Sequence, residues 1–72
     1  MKKYKLTKET TEAYGVKLYR IEAVIDFGDV KKGDKGGFVE KFENLSQSGN
    51  AWVYDDAWVS GDAWVSGNAR VS

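Results

Sequence analysis

From Gln47 onward, apolar and polar positions recur every six residues. The hexads are Gln47-Ser48-Gly49-Asn50-Ala51-Trp52, Val53-Tyr54-Asp55-Asp56-Ala57-Trp58, Val59-Ser60-Gly61-Asp62-Ala63-Trp64 and Val65-Ser66-Gly67-Asn68-Ala69-Arg70. Val71-Ser72 opens a fifth. A fixed short period marks a solenoid, in which each repeat buries its apolar side only by stacking on its neighbours. The inward set is then Val53, Val59, Val65 and Val71, with Ala51, Ala57, Ala63 and Ala69. Gly49, Gly61 and Gly67 take the corners, and Asp55 stands where a glycine is otherwise found. Aspartate tolerates the left-handed corner conformation better than most residues. Trp52, Trp58 and Trp64 each precede an inward valine, so strand alternation turns them outward.

The first part of the chain has a different rhythm. Tyr4 and Leu6 alternate with Lys3, Lys5 and Thr7, as in a half-buried strand. In a second run, Tyr19, Ile21, Ala23, Ile25 and Phe27 fall on one face, with Arg20, Glu22 and Asp26 on the other. A helix through Leu18, Ile21 and Ile25 fits the same run, so both readings stay open. Gly15 ends a turn between the two runs, and the polar stretch 7–12 reads as loop or a short helical turn. Between these and the hexads, Val39 and Leu45 lie six apart, and Leu45-Ser46 reads as a two-residue insertion at a corner. The chain divides into an N-terminal strand or hairpin region (1–29), a degenerate repeat coil (30–46) and regular hexapeptide repeats (47–72), all one domain.

Length sharpens this picture. A chain of 72 residues buries only about 60% of its unfolded surface and is marginal alone. Small scaffolds usually add disulfides, a metal or association. With no cysteine, histidine or proline, association is what remains, and a homo-oligomer is the expectation. Lys2, Lys3 and Lys5 precede no apolar run, so neither a signal peptide nor a membrane span is expected. Net charge is zero; residues 1–35 carry nine Lys/Arg against six Asp/Glu, and residues 36–72 carry two against five. Neither half has the basic field of a nucleic-acid binder, so direct nucleic-acid binding is not expected.

The hexads resemble those of left-handed parallel β-helices, where three hexads close one triangular coil. Eighteen residues then bring Trp52 beneath Arg70. The stretch Leu18-Tyr19-Arg20-Ile21-Glu22-Ala23, Asp26-Phe27-Gly28-Asp29-Val30, Gly36-Gly37-Phe38-Val39-Glu40 and Asn44-Leu45-Ser46-Gln47 resembles short phage and prophage hexapeptide-repeat proteins. That resemblance implies an all-β fold, a short left-handed parallel β-helix with an N-terminal β-hairpin-like cap. It also implies a phage origin and a place in the cytoplasm of a bacterial host.

Candidate chemistry is sparse. Asp55, Asp56 and Asp62 match no calcium loop, and on the coil Asp56 and Asp62 occupy different corners, so no metal site is expected. Gly33-Asp34-Lys35-Gly36-Gly37 lacks the order of a phosphate loop and reads as a turn. Hexapeptide β-helices are best known as acyltransferases that use a histidine base, which this chain lacks; Ser60 and Ser66 have no candidate base. The expectation is a protein without catalytic residues or cofactor. The features that ask for a partner are the aromatic positions Trp52, Tyr54, Trp58 and Trp64, with Arg70 set for a cation–π contact over Trp52. Three explanations of the tryptophans stand: cover by the N-terminal hairpin, self-association, or a foreign partner. The leading functional expectation is a non-enzymatic inhibitor docking on a host defence protein. The alternatives are a self-assembling β-helix module and a nucleotide-sequestering oligomer.

Overall fold

The computed structural model describes residues 2–72. The fold is all-β with mixed sheets and almost no helix. Six strands and one 3-10 turn follow in order: β1 (Tyr4–Ala13), β2 (Val16–Ala23), β3 (Lys35–Val39), the turn Phe42–Asn44, β4 (Trp52–Val53), β5 (Trp58–Val59) and β6 (Arg70–Val71). One sheet has the order β1-β2-β3-β5, antiparallel until the last pair, which is parallel; β4 and β6 form a second, parallel pair.

β1 and β2 form a hairpin in which Ala13 faces Val16 across a two-residue turn. Both turn residues have positive φ, 54° at Tyr14 and 78° at Gly15. That combination matches the right-handed twist of the flanking strands, and glycine meets it without strain. Tyrosine at the first position is the less usual choice. Residues 7–12, expected as loop or helical turn, are strand instead. Thr7, Thr10 and Thr11 are β-branched, and the Thr7 hydroxyl donates to the Arg20 carbonyl at 2.9 Å. The helical alternative for the second run does not form. Its spacing arose because alternation is interrupted: Leu18 and Ile21 are both buried although they have opposite parity. The β2–β3 register shifts between Arg20 and Glu22, at Ile21, where β3 carries one more residue than β2 at Gly36-Gly37.

That glycine pair is required by close approach. A Cβ on Gly36 would lie 2.5 Å from the Val53 carbonyl oxygen and 2.8 Å from Trp52, and one on Gly37 would collide with the Ala57 carbonyl oxygen. The backbone of β3 therefore rests directly on both later passes of the chain, and any side chain there would force them apart.

Beyond β3 the chain makes two passes, stacked by three parallel pairings. Phe38 and Val39 pair with Trp58 and Val59, Leu45 with Val65, and Trp52 and Val53 with Arg70 and Val71. The separation is twenty residues at the first two and eighteen at the third, a difference equal to the insertion at Leu45-Ser46. Between the passes, Val39, Leu45, Val53, Val59 and Val65 are buried, and Ala51 joins them. Ala63 and Ala69, expected inside, are exposed, and Val71 is half-buried. They belong to the second pass, over which no described strand lies. Asn44 braces one corner: its amide nitrogen donates to the carbonyls of Gly61 (3.1 Å) and Ala63 (2.8 Å), and its oxygen accepts from the Lys41 N–H. A buried polar side chain so fully paired fixes the stacking of the two passes.

Candidate functional site: the aromatic faces

The five candidate positions separate into different environments. Trp52 is 2% exposed, which removes it from any binding surface. The N-terminal region covers it. Tyr4 and Phe27 pack edge-on against its indole, with ring centroids 6.3 and 5.2 Å away. Of the three explanations for the tryptophans, cover by the N-terminal region holds for this one.

Arg70 does lie above Trp52 in register, but its guanidinium does not engage the indole. It sits 5.8 Å from the ring centroid of Tyr54 and 3.6 Å from the Asp29 carboxylate. Tyr54 donates its hydroxyl to the same carboxylate over 3.0 Å. Partial burial and then this hydrogen bond push the Tyr54 phenol above its usual range, while Arg70 works against the shift. The cluster ties the 26–30 loop to the second pass.

Trp58 and Trp64 remain exposed, at 43% and 67%. Trp58 has a companion that the repeat pattern gave no reason to single out. Tyr14, at the hairpin tip and 92% exposed, stands 5.8 Å from it between ring centroids. Trp64 instead borders an open groove of about 370 Å³, with Phe42, Glu43, Leu45, Ser46 and Gln47. The polar groups of this groove have unequal commitments. Ser46 Oγ is engaged with Ser48, and Gln47 Oε1 accepts from the backbone N–H groups of Lys3 (2.6 Å) and Tyr4 (3.4 Å). Gln47 Nε2 is buried without a hydrogen-bond partner.

Two further residues escaped the sequence reading. Lys3 is 1% exposed, and burial pushes its ammonium below the usual lysine range. Its Nζ donates to the carbonyls of Ala51 (2.8 Å) and Gly49 (3.4 Å) and lies 4.7 Å over the Phe27 ring. Arg20 is a second anchor, bonded to Glu9 (2.8 Å), Asp56 (3.1 Å) and the Gly36 carbonyl (2.6 Å), with its guanidinium 4.3 Å from the Phe38 ring centroid. Desolvation disfavours its charge, and the hydrogen bonds to Asp56 and Glu9 outweigh that. Nothing in a six-residue period signals either anchor.

Among the described residues no group of three or more His, Cys, Asp or Glu side chains comes together as a metal set. Asp56 is used by Arg20, and Asp62 lies 3.7 Å from Lys41. No helix among the described residues is long and apolar enough to cross a membrane.

No family model matches the chain. It is similar to a protein of Escherichia coli (strain K12) named "Uncharacterized acetyltransferase YdcK", with 38% identity over 63 residues. The match covers 76% of this chain but 19% of that relative, so the chain spans about a fifth of its length. The expectation of a protein outside enzyme chemistry is corrected by this likeness, because the relative carries an enzyme's name. Lack of histidine was too narrow a ground for that expectation: a chain can resemble part of an enzyme without holding its base.

Proposed function

We propose that this chain is a short left-handed parallel β-helix of the hexapeptide type, headed by its N-terminal hairpin, and that it serves acetyl transfer. The observation that carries this is a coincidence of two independent features. The stacked pairings recur at coil-like separations of eighteen and twenty residues, and the same chain is 38% identical to a protein named as an acetyltransferase. In this reading the chain's residues bind and orient rather than abstract a proton. Tyr54 gives its one hydroxyl proton to Asp29, so toward a substrate its oxygen acts as a hydrogen-bond acceptor that orients the N–H of an acetyl-accepting amine, not as a base.

The test is incubation with acetyl-CoA and a panel of small amines, following thiol release and acceptor mass. Acetylated product that falls at least tenfold in Tyr54→Phe supports the reading. Absence of both product and any acetyl-CoA-induced change in melting temperature counts against it.

The exposure of Tyr14, Trp58 and Trp64 favours a second reading, docking on another protein, with a host defence protein as the concrete case. Trp58→Ala and Trp64→Ala, tested against a defined host defence system in cells, separate the two. Loss of inhibition with unchanged mass by light scattering favours docking; loss of oligomer mass assigns the aromatics to self-association.

A further inference from the structure

The pairings between the two passes use one side of the second pass. The carbonyls of Ala57, Val59, Val65, Ala69 and Val71 accept from the N–H groups of Phe38, Glu40, Ser46, Trp52 and Tyr54, over 2.7–3.2 Å. Alternation then turns the backbone N–H and C=O of Trp58, Trp64 and Arg70 away from the first pass. β5 and β6 end their sheets on this side, and Ala63 and Ala69 stand exposed beside them. The corners agree. Where the passes stack, a Cβ on Gly49 would lie 2.6 Å from the Gly67 carbonyl oxygen, so only glycine fits. Gly61 and Gly67 keep the same left-handed corner, with φ of 64° at both, but nothing lies within 4 Å of where a Cβ would be. The outer side of the second pass has the surface of a stacking layer, with no described layer upon it.

A second copy of this chain fits that side under a two-fold axis through Trp64. Trp58 and Arg70 lie six residues before and after Trp64, and Gly61 and Gly67 lie three before and after. Turned end to end, Trp64 therefore faces Trp64 of the second copy, and Trp58 faces its Arg70. All three are positions whose backbone groups point outward, so each pair exchanges its free hydrogen bonds as antiparallel neighbours. Gly61 stacks on Gly67 of the second copy, repeating the contact of Gly49 on Gly67 within the chain. The charges suit the axis too. Arg70 meets an indole rather than another cation, and Asp62 falls opposite Ser66, so no like charges face each other. Axes through Trp58 or Arg70 lack this fit. They bring a glycine corner against the step at Asp55, a left-handed residue with φ of 55° whose Cβ fills the stacking space. We propose that the outer side of the second pass is a homodimer face, closed by the two-fold axis through Trp64. The face stands independently of acetyl transfer, since it rests on stacking geometry alone. One coil layer is smaller than a standard interface, so the dimer should depend on concentration and be half-formed on the order of 100 μM.

Sedimentation equilibrium of the full chain from about 10 μM to about 1 mM should show the mass rising towards twice 8.1 kDa and stopping there. A two-fold contact closes on itself and leaves nothing to extend. Because the chain has no cysteine, single cysteines under mild oxidation can locate the axis. Trp64→Cys sets the new thiol opposite its own copy, and should form disulfide-linked dimers about tenfold faster than Trp58→Cys, which faces position 70. An equal mixture of Trp58→Cys and Arg70→Cys should link to each other faster than either links to itself. Ser66→Asp, at an exposed position, sets a carboxylate against Asp62 twice in each dimer and should weaken association about fivefold. Ser66→Lys should tighten it. Monomer mass at about 1 mM would overturn the proposal. So would growth beyond a dimer, equal cross-linking of Trp64→Cys and Trp58→Cys, or association unmoved by Ser66→Asp.

Discussion

The ammonium of Lys3 donates to the carbonyl of Ala51 over 2.8 Å, joining the start of the chain to a residue 48 positions later. The bond is buried, and the neighbouring backbone is held the same way, because the Lys3 N–H donates to Gln47 Oε1 at 2.6 Å. The N-terminal strand is thus strapped to the first pass by polar contacts as well as by Tyr4 and Trp52. A lysine without a carboxylate partner pays desolvation for its position, which is why its ammonium titrates low.

Lys3→Ala should therefore destabilise the protein by about 2 kcal/mol, since it leaves the Ala51 carbonyl unpaired and opens space beside Phe27. Lys2→Ala, one residue earlier and exposed, should stay within about 0.5 kcal/mol of the parent. Urea denaturation of the two variants checks the contrast. Equal effects would show that the strap is not a structural contact.

Alkaline pH should weaken the fold through Tyr4. Its hydroxyl lies 2.5 Å from the Phe42 carbonyl and 2.7 Å from that of Leu45, with one proton for the two. Burial, and then the charge of Glu43, push its pKa up to about 12 from 10.0, with Gln47 pulling the other way. The native state keeps a proton that the unfolded chain loses above its own pKa, so this contribution falls as pH rises from 10 towards 12. The loss is on the order of 2–3 kcal/mol by the top of that window. Lys3 has the opposite sign: its folded pKa is depressed, so its ionisation penalty is relieved as pH rises towards 10.5. Comparing urea midpoints at about pH 9 and about pH 11, Tyr4→Phe should lose less stability across the interval than the parent, despite a lower starting value. An equal drop in both would assign the effect elsewhere.

The closeness of β3 to the later passes makes a second, sharper contrast. Gly37→Ala should unfold the chain or cost several kcal/mol, because its Cβ meets backbone rather than a movable side chain. Gly61→Ala has open space around it and only the positive φ of 64° to contend with. It should cost about 1 kcal/mol. Thermal melts of both variants decide the matter, and similar melting temperatures would mean that the passes can slide apart at little cost.

The hexads made part of this molecule legible and left other parts dark, for physical reasons. A six-residue period states which residues stack, and the buried positions of Val53, Val59 and Val65 follow from it. It says nothing of what covers an outward face. Trp52 and Trp64 hold equivalent places in their hexads, yet one is buried and the other open. The difference is Tyr4 and Phe27, contributed from outside the repeat. Repeat position likewise placed Arg70 over Trp52, but the competing Asp29 carboxylate lies in a loop that the period does not describe. The breaks in alternation depend on register shifts between Leu6 and Thr10 and at Gly36-Gly37, which are pairing properties of two strands and cannot be read from one. The groove escaped because Phe42 and Glu43 lie outside the regular hexads, while Gln47 opens the first one as an unremarked polar residue.

The unequal tryptophans supply the last prediction. Trp52→Ala removes a buried indole from beneath Tyr4 and Phe27 and should cost about 3–5 kcal/mol. That is enough to unfold a small domain whose whole stability is of similar size. Trp58→Ala and Trp64→Ala trim exposed rings and should shift stability by about 1 kcal/mol or less. In the intact protein, acrylamide should then quench the emission of two tryptophans readily and leave a blue-shifted, protected fraction from the third. Trp64→Phe should remove part of the quenchable fraction while leaving the protected one in place. If the protein associates through these rings, quenching becomes concentration-dependent and the accessible fraction shrinks as light-scattering mass rises. A fully quenchable native protein would mean that the N-terminal strand does not stay docked over Trp52.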